Sequence, residues 1–168
     1  TSYLCHPSMA NNELSGPLIQ ILLYLKLKKL KRRKFNYLFV INPETIGSIC
    51  FIHKNLKYLK KKLISGIVLT CLGGPEKKLS YKLSREGNSL FDKYFTQMAK
   101  NKKTNIRKFD TAGSDERQYC SSECNLPVGQ LARTVYGKNK EYHTSADNKK
   151  FVRLKMFKET ANEIFKFF

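Results

Sequence analysis

Carboxylates and imidazoles are scarce in this 168-residue chain: 13 Asp and Glu and three His stand against 32 Lys and Arg. Any site that needs such groups can draw on only a few positions. No apolar run approaches the ~20 residues of a membrane span. No basic-then-apolar leader with a cleavage site opens the chain, which starts at Thr1 rather than Met. That start points to a piece cut from something longer, and without a secretory signal a reducing cytoplasm is the expected setting. The five cysteines, Cys5, Cys50, Cys71, Cys120 and Cys124, are odd in number and lack the C-x-x-C spacing of a zinc knuckle. Cys50 and Cys71 read as small core residues. The absence of G-x-S-x-G argues against a nucleophilic serine, and that of G-x-x-x-x-G-K-[ST] against a phosphate loop. Arginine is sparse too, 7 against 25 Lys. Specific phosphate and base readers lean on its bidentate fork. The net charge of +19 therefore reads as lysines decorating helix faces, with no specific nucleic acid and no membrane as partner.

What is present, 41% hydrophobic and 12% aromatic residues, suits one domain with one core. Ser2 to Cys5 predicts a short strand that runs into His6-Pro7. Ser15 caps a helix from Pro17 to Arg33, with Leu18, Ile21, Leu22, Leu25, Leu27 and Leu30 inward. Phe35 to Ile41 reads as a strand covered on both faces, and a helix follows from Ile46 or Gly47 to Lys61. Further strands are expected within Leu63–Leu72, at Leu79–Leu83 and at Ile106–Phe109. Helices are expected at residues 87–99 and 152–168. This alternation predicts an α/β fold, a mainly parallel sheet with helices on both sides, whose function sits at the carboxyl ends of its strands. His6, Glu44 and Asp115 each follow a strand.

The run Gly113–Asn148 differs from the rest. It gathers Asp115, Glu116, Arg117, Arg133, Glu141, Tyr142, His143 and Asp147, broken by Pro127, Gly129 and Gly137, and reads as a long functional loop. Two His and a carboxylate form the usual minimum for a catalytic zinc. His6 and His143 lie in polar loops, whereas His53 sits inside a helix. Glu44 is the only carboxylate between Leu14 and Pro75, against twelve Lys and Arg, and stands before a helix as a ligand or general base. Asp115 and Arg117 are placed to hold a charged substrate group. The Tyr142 phenol can donate to a developing oxyanion.

The segments CHPSMANNELSGP (Cys5 to Pro17), NPETIGSI (Asn42 to Ile49), GSDERQYC and EYHTSADN resemble the bacterial aminopeptidase-like proteins related to zinc exopeptidases, often encoded near polysaccharide-biosynthesis genes. The resemblance runs from Cys5 to Asn148. It implies a three-layer α/β/α sandwich, with His6 and His143 as the first and last metal ligands. Glu44 falls where relatives carry a Glu-Glu pair, one general base and one ligand, but Thr45 follows it here. Asn12 stands in the place of a metal-bridging Asp with Glu13 beside it, and Thr70 near a further ligand Asp. The expectation is one zinc rather than two, from His6, Glu13, Glu44 and His143. Asp115, Arg117, Arg133 and Tyr142 line the substrate site, and water deprotonated by Glu44 attacks a peptide or amide carbonyl. The alternative is a relative that binds such ligands without hydrolysis. Relatives carry further segments before the first His motif and after the last helix, so residues 1–168 are expected to form a partial domain.

Overall fold

A computed structural model describes residues 1–101 and 103–168. In chain order the elements are β1 (Ser2–Tyr3), a π-helical turn (Ala10–Leu14), α1 (Ser15–Lys28), β2 (Ile41–Asn42), α2 (Ile46–Lys62), β3 (Gly66–Leu69), β4 (Leu79–Lys82), α3 (Leu90–Lys100), β5 (Thr104–Arg107), α4 (Glu116–Tyr119), β6 (Val128–Ala132) and α5 (Leu154–Phe165). Strands β1 and β2 pair in parallel, with Tyr3 opposite Asn42. A four-stranded sheet follows in the order β3-β6-β4-β5. Thr1 joins the two: its nitrogen donates to Ile67 O, and its carbonyl accepts from Leu69 N, each at 2.9 Å. That pattern is a parallel bridge. Strands β2, β1, β3 and β6 thus run one way, while β4 pairs antiparallel to β6 and parallel to β5.

Alternation along β3 separates the layers. Ile67 and Leu69 join Ile19 and Leu23 of α1, Phe91 and Phe95 of α3, and Phe157 and Ile164 of α5. Val68 points the other way, into a cluster with Ile52 and Leu59 of α2 and Tyr119 of α4. The result is the three-layer sandwich with a mixed, mainly parallel sheet. Among the described residues no helix is long and apolar enough to cross a membrane.

Four expectations are corrected. The long loop contains β6, a central strand buried at every position. Its apolar pattern is interrupted to fit its neighbours across the sheet. A Cβ on Gly129 would lie 2.1 Å from the Tyr81 hydroxyl, and buried Gln130 accepts from Arg107 Nη2 at 2.8 Å. The Phe35–Ile41 strand shrinks to Ile41–Asn42, and Leu38 is 60% exposed. A run of β-formers reads the same whether its strand is central or, as β2 is here, bonded on one side. Helix α1 is apolar on most of its circumference. Ile19, Leu23 and Leu27 face inward, while Leu18, Ile21 and Leu25 are exposed. Cys50 is likewise exposed, and Cys71 is buried.

Helix α3 is set by a capping box. Ser89 Oγ accepts from Asp92 N at 3.1 Å, and Asp92 Oδ2 accepts from Ser89 N at 2.9 Å. Asp92 Oδ1 also accepts from the Tyr81 hydroxyl, tying the helix to β4. Replacing Ser89 with Ala is expected to cost about 1 kcal/mol in urea denaturation. No measurable loss would mean that Asp92 alone holds this end.

Candidate active site

The site is built where two neighbouring parallel strands end. Cys5 and His6 follow β1, and Glu44 follows β2, so side chains 38 positions apart in sequence leave the sheet at one edge. Above that edge sits the π-helical turn, with Asn11, Asn12 and Glu13 buried. Such turns recur at functional sites. The turn comes this close because the second residue of α1 is Gly16, where a Cβ would lie 2.3 Å from Leu69 O.

Glu13 organises the first loop. Its Oε1 is 2.8 Å from His6 Nδ1 and accepts from Asn12 Nδ2 at 3.0 Å, while Oε2 accepts from the Cys5 N–H. A carboxylate only accepts, so the His6 proton is assigned to Nδ1 and the Nε2 lone pair is left free. Glu13, expected as a ligand, has both oxygens occupied in this way and orients its neighbours. Cys5 Sγ lies 3.3 Å from His6 Nδ1 and accepts from Glu44 N at 3.4 Å. Burial pushes the Cys5 thiol up, and the carboxylates of Glu13, Glu44 and Asp115 add to that.

Glu44 is held by a strained turn. Thr45 has φ 61° and ψ −71°, with Ile46 N donating to Glu44 O at 2.7 Å. This is a γ-turn with a β-branched residue at positive φ, a conformation that persists only where its surroundings impose it. Asp115 does so. Its Oδ1 accepts from Thr45 N at 2.8 Å and from Ser48 Oγ at 3.0 Å, at the positive end of α2. Ser114 Oγ donates to Glu44 Oε1 at 2.5 Å. Burial pushes the Asp115 carboxyl up, and this fully buried side chain supports the site from beneath, not as an exposed substrate wall. The chain reaches this point by crossing the sheet face after β5, which runs opposite to β1.

His143 arrives from the far end of the sequence. Asp147 binds the π-helical turn through Asn11 N at 2.6 Å and Asn12 N at 2.9 Å, and Ala10 N donates to its carbonyl at 3.0 Å. The clamp brings the His143 ring centre to 4.9 Å from that of His6 and its Nε2 to 3.5 Å from Asn12 Nδ2. Tyr142 stacks on His143 with ring centres 3.9 Å apart. Burial, with Cys71 and Glu44 nearby, pushes the Tyr142 phenol up to about 12, so it stays a donor.

One expected substrate residue, Arg133, lies elsewhere. Arg133 is buried, donating to Glu76 O, Lys77 O and Thr160 Oγ1 at 2.7–2.9 Å. It ties α5 to the β3–β4 connection because it directly follows β6. Arg117 is half-buried on α4, with its Nε unpaired. Sequence reasoning passed over Cys5 and the clamp of Asp147. Cys5 had one signal, adjacency to His6 at a strand end, and Asp147 had none, since its partners lie 135 residues away.

As metal donors, Cys5, His6 and Glu44 each offer one ligand atom, all within 4.8 Å of one another. A thiol, an imidazole and a carboxylate suit zinc. Asn12, Tyr3 and Thr70 next to them are neutral and bonded among themselves. The Tyr3 hydroxyl donates to Asn12 Oδ1 at 3.0 Å and lies 2.5 Å from Thr70 Oγ1.

Comparison with known proteins agrees with this geometry. Residues 1–168 match the family described as "Domain of unknown function (DUF4910)". A Clostridium acetobutylicum protein, named for polysaccharide biosynthesis and an aminopeptidase-like domain, is 42% identical over 150 residues, 88% of this chain. The chain spans 34% of that relative's length. A crystal structure from the same organism, described as a peptidase, superposes with a TM-score of 0.89 at 37% identity, covering 99% of this chain and 39% of that one. BSAP, a zinc aminopeptidase from Bacillus subtilis, gives a TM-score of 0.70 at 16% identity, covering 99% and 44%. At that identity the likeness is one of fold.

Proposed function

The chain belongs to the DUF4910 family and has the zinc-aminopeptidase fold, and on that premise we propose that it is the catalytic part of a metal-dependent hydrolase of peptide or amide bonds. The observation that carries this reading is the convergence of His6, Glu44, His143 and Tyr142 at the edge where β1 and β2 end.

Bound zinc would supply Lewis-acid polarisation of the scissile carbonyl and of the attacking water. His6, with Nδ1 held by Glu13, would present Nε2 to it, and His143 would face it from the opposite loop. The second-sphere carboxylate fixes the ring and raises its basicity. Glu44 takes the proton of the attacking water at its carboxylate and returns it to the leaving amine. The hydrogen bond from Ser114 keeps one oxygen oriented, and the γ-turn at Thr45 aims the side chain. Tyr142 donates to the oxygen on which negative charge develops. The mutually bonded, uncharged set of Tyr3, Asn12 and Thr70 favours one ion over two, since a second divalent ion would need the anionic ligands this set lacks.

The test measures zinc content and affinity of the purified protein alongside hydrolysis of chromogenic aminoacyl amides. One zinc per chain and chelator-sensitive turnover are expected. A protein that neither holds nor takes up zinc would overturn the reading. Zinc binding with amide binding and no turnover would leave only the non-hydrolytic alternative.

A further inference from the structure

Resting on the reading that His143 faces the ion at this site, we propose that Asp147 is a positioning residue that sets the zinc affinity, by docking the His143 loop on the first helical run of the chain. That run, the π-helical turn continued by α1, starts without a cap of its own. Its N-cap position is Met9, in extended conformation at φ −91° and ψ 123°, and the Met9 side chain makes no capping bond. The first N–H groups of a helix have no partner within it. Asp147 supplies the cap from 135 residues away. Its Oδ1 accepts from Asn11 N at 2.6 Å, its Oδ2 from Asn12 N at 2.9 Å, and its carbonyl from Ala10 N at 3.0 Å. The side chain is buried, and a carboxylate at the positive end of a helical run makes hydrogen bonds of the stronger, charge-assisted kind.

The loop depends on that cap for its place. Thr134 N bonds Cys71 O before it, and Arg153 N bonds Gly73 O after it. Between these points Lys138 N, Tyr142 N, Thr144 N and Ala146 N find acceptors inside the loop: Val135 O, Asn139 Oδ1, Glu141 O and Thr144 Oγ1. Such bonds fix Tyr142 and His143 against each other, with ring centres 3.9 Å apart. They leave the distance from His6 open. The loop's other hydrogen-bonded ties outward are long, Tyr136 Oη to Ala112 O at 3.4 Å and Asn12 Nδ2 to His143 Nε2 at 3.5 Å. Among the described residues Asp147, four positions after His143, is thus the short and charged link between this loop and the site. It holds the backbone of Asn11 and Asn12, while Glu13, the next residue of the same turn, holds His6 Nδ1 at 2.8 Å. One turn therefore places both histidines, His6 through Glu13 and His143 through Asp147. The 4.9 Å between their ring centres is the result.

Asp147→Asn keeps the shape of the side chain but turns an amide NH2 towards one of the two backbone N–H groups. Zinc affinity is expected to fall by about 10–100-fold, the cost of losing an outer-sphere partner. In a His143→Ala background the same change should cost no further affinity, because a residue that acts through another is silent once the other is gone. An equal fall in both backgrounds would mark a general loosening of the fold and overturn the proposal. Two readouts use the metal-free protein. A nuclear Overhauser contact between the His6 and His143 rings is expected in the unaltered chain and should be lost in Asp147→Asn. The amide protons of Asn11 and Asn12 should exchange slowly with solvent in the unaltered chain, a measurement that does not depend on the folding of any variant. Fast exchange there would overturn the proposal. Undiminished zinc affinity in Asp147→Asn would do so as well and leave the metal-dependent reading standing. Failure of the unaltered chain to take up zinc would overturn both.

Discussion

Glu44→Gln is expected to lower amide hydrolysis by about 10²–10⁴-fold, the range that a positioned general base contributes. Affinity for zinc should change little. The two readouts separate the roles open to this side chain. As a base, Glu44 accepts the proton of the attacking water, and a neutral amide of the same shape cannot. As a ligand, its loss would weaken metal binding as well. Glutamine keeps an oxygen that can accept from Ser114, now 2.5 Å from Glu44 Oε1, so the turn is expected to remain. Full activity in Glu44→Gln would remove the acid from the mechanism. A fall in zinc affinity equal to the fall in rate would make it a ligand.

Lys82→Met is expected to destabilise the protein by about 3–5 kcal/mol, because it strands a buried carboxylate. Lys82 lies on β4 with its side chain fully buried. Its Nζ is 3.0 Å from Glu116 Oε1, whose side chain is equally buried, and 2.8 Å from the largely exposed Asp110. It also donates to Ala112 O. Removing the cation leaves Glu116 with its Ser114 N–H contact at 3.2 Å and no charge partner. Urea denaturation with an unchanged slope is the measurement. The double change Lys82→Met with Glu116→Leu should recover most of the loss, since no charge then stays buried. A cost below about 1 kcal/mol for the single change would mean that water reaches this pair, as at surface ion pairs. The consequence extends to the site. This ion pair anchors the segment from which Ser114 reaches Glu44 and Asp115 reaches Thr45, so Lys82→Met should also reduce turnover without touching the reacting atoms.

Particular residues show how far the sequence could be read. His6 and Glu44 were visible as rare groups after strands, and the strand pairing sets them at one edge. His143 was visible as a rare group in a polar loop, but its neighbour could not be named until Asp147 docked on the turn at Asn11 and Asn12. Lys82, in LSYKL, alternates like a solvent-facing lysine. Only the arrival of Glu116 on the opposite layer makes its burial tolerable. Arg133, next to a cluster of polar residues, looked like a substrate contact, and β6 carries it to α5 instead. The strand β6 itself was hidden because glycine and glutamine satisfy needs of β4 and β5 that no local pattern records.

By itself the sequence determined the α/β class, the order of most elements, the absence of a long apolar span and the few residues able to carry hydrolytic or metal chemistry. These follow from periodicity, composition and scarcity, which are local properties. The tertiary structure decided which strands lie at the centre, which face of α1 is buried, that Glu13 orients rather than faces the cleft, and that Cys5 joins His6 and Glu44. Each of those depends on contacts between residues far apart in sequence. The free energy of such a contact belongs to the pair, so neither residue alone announces it.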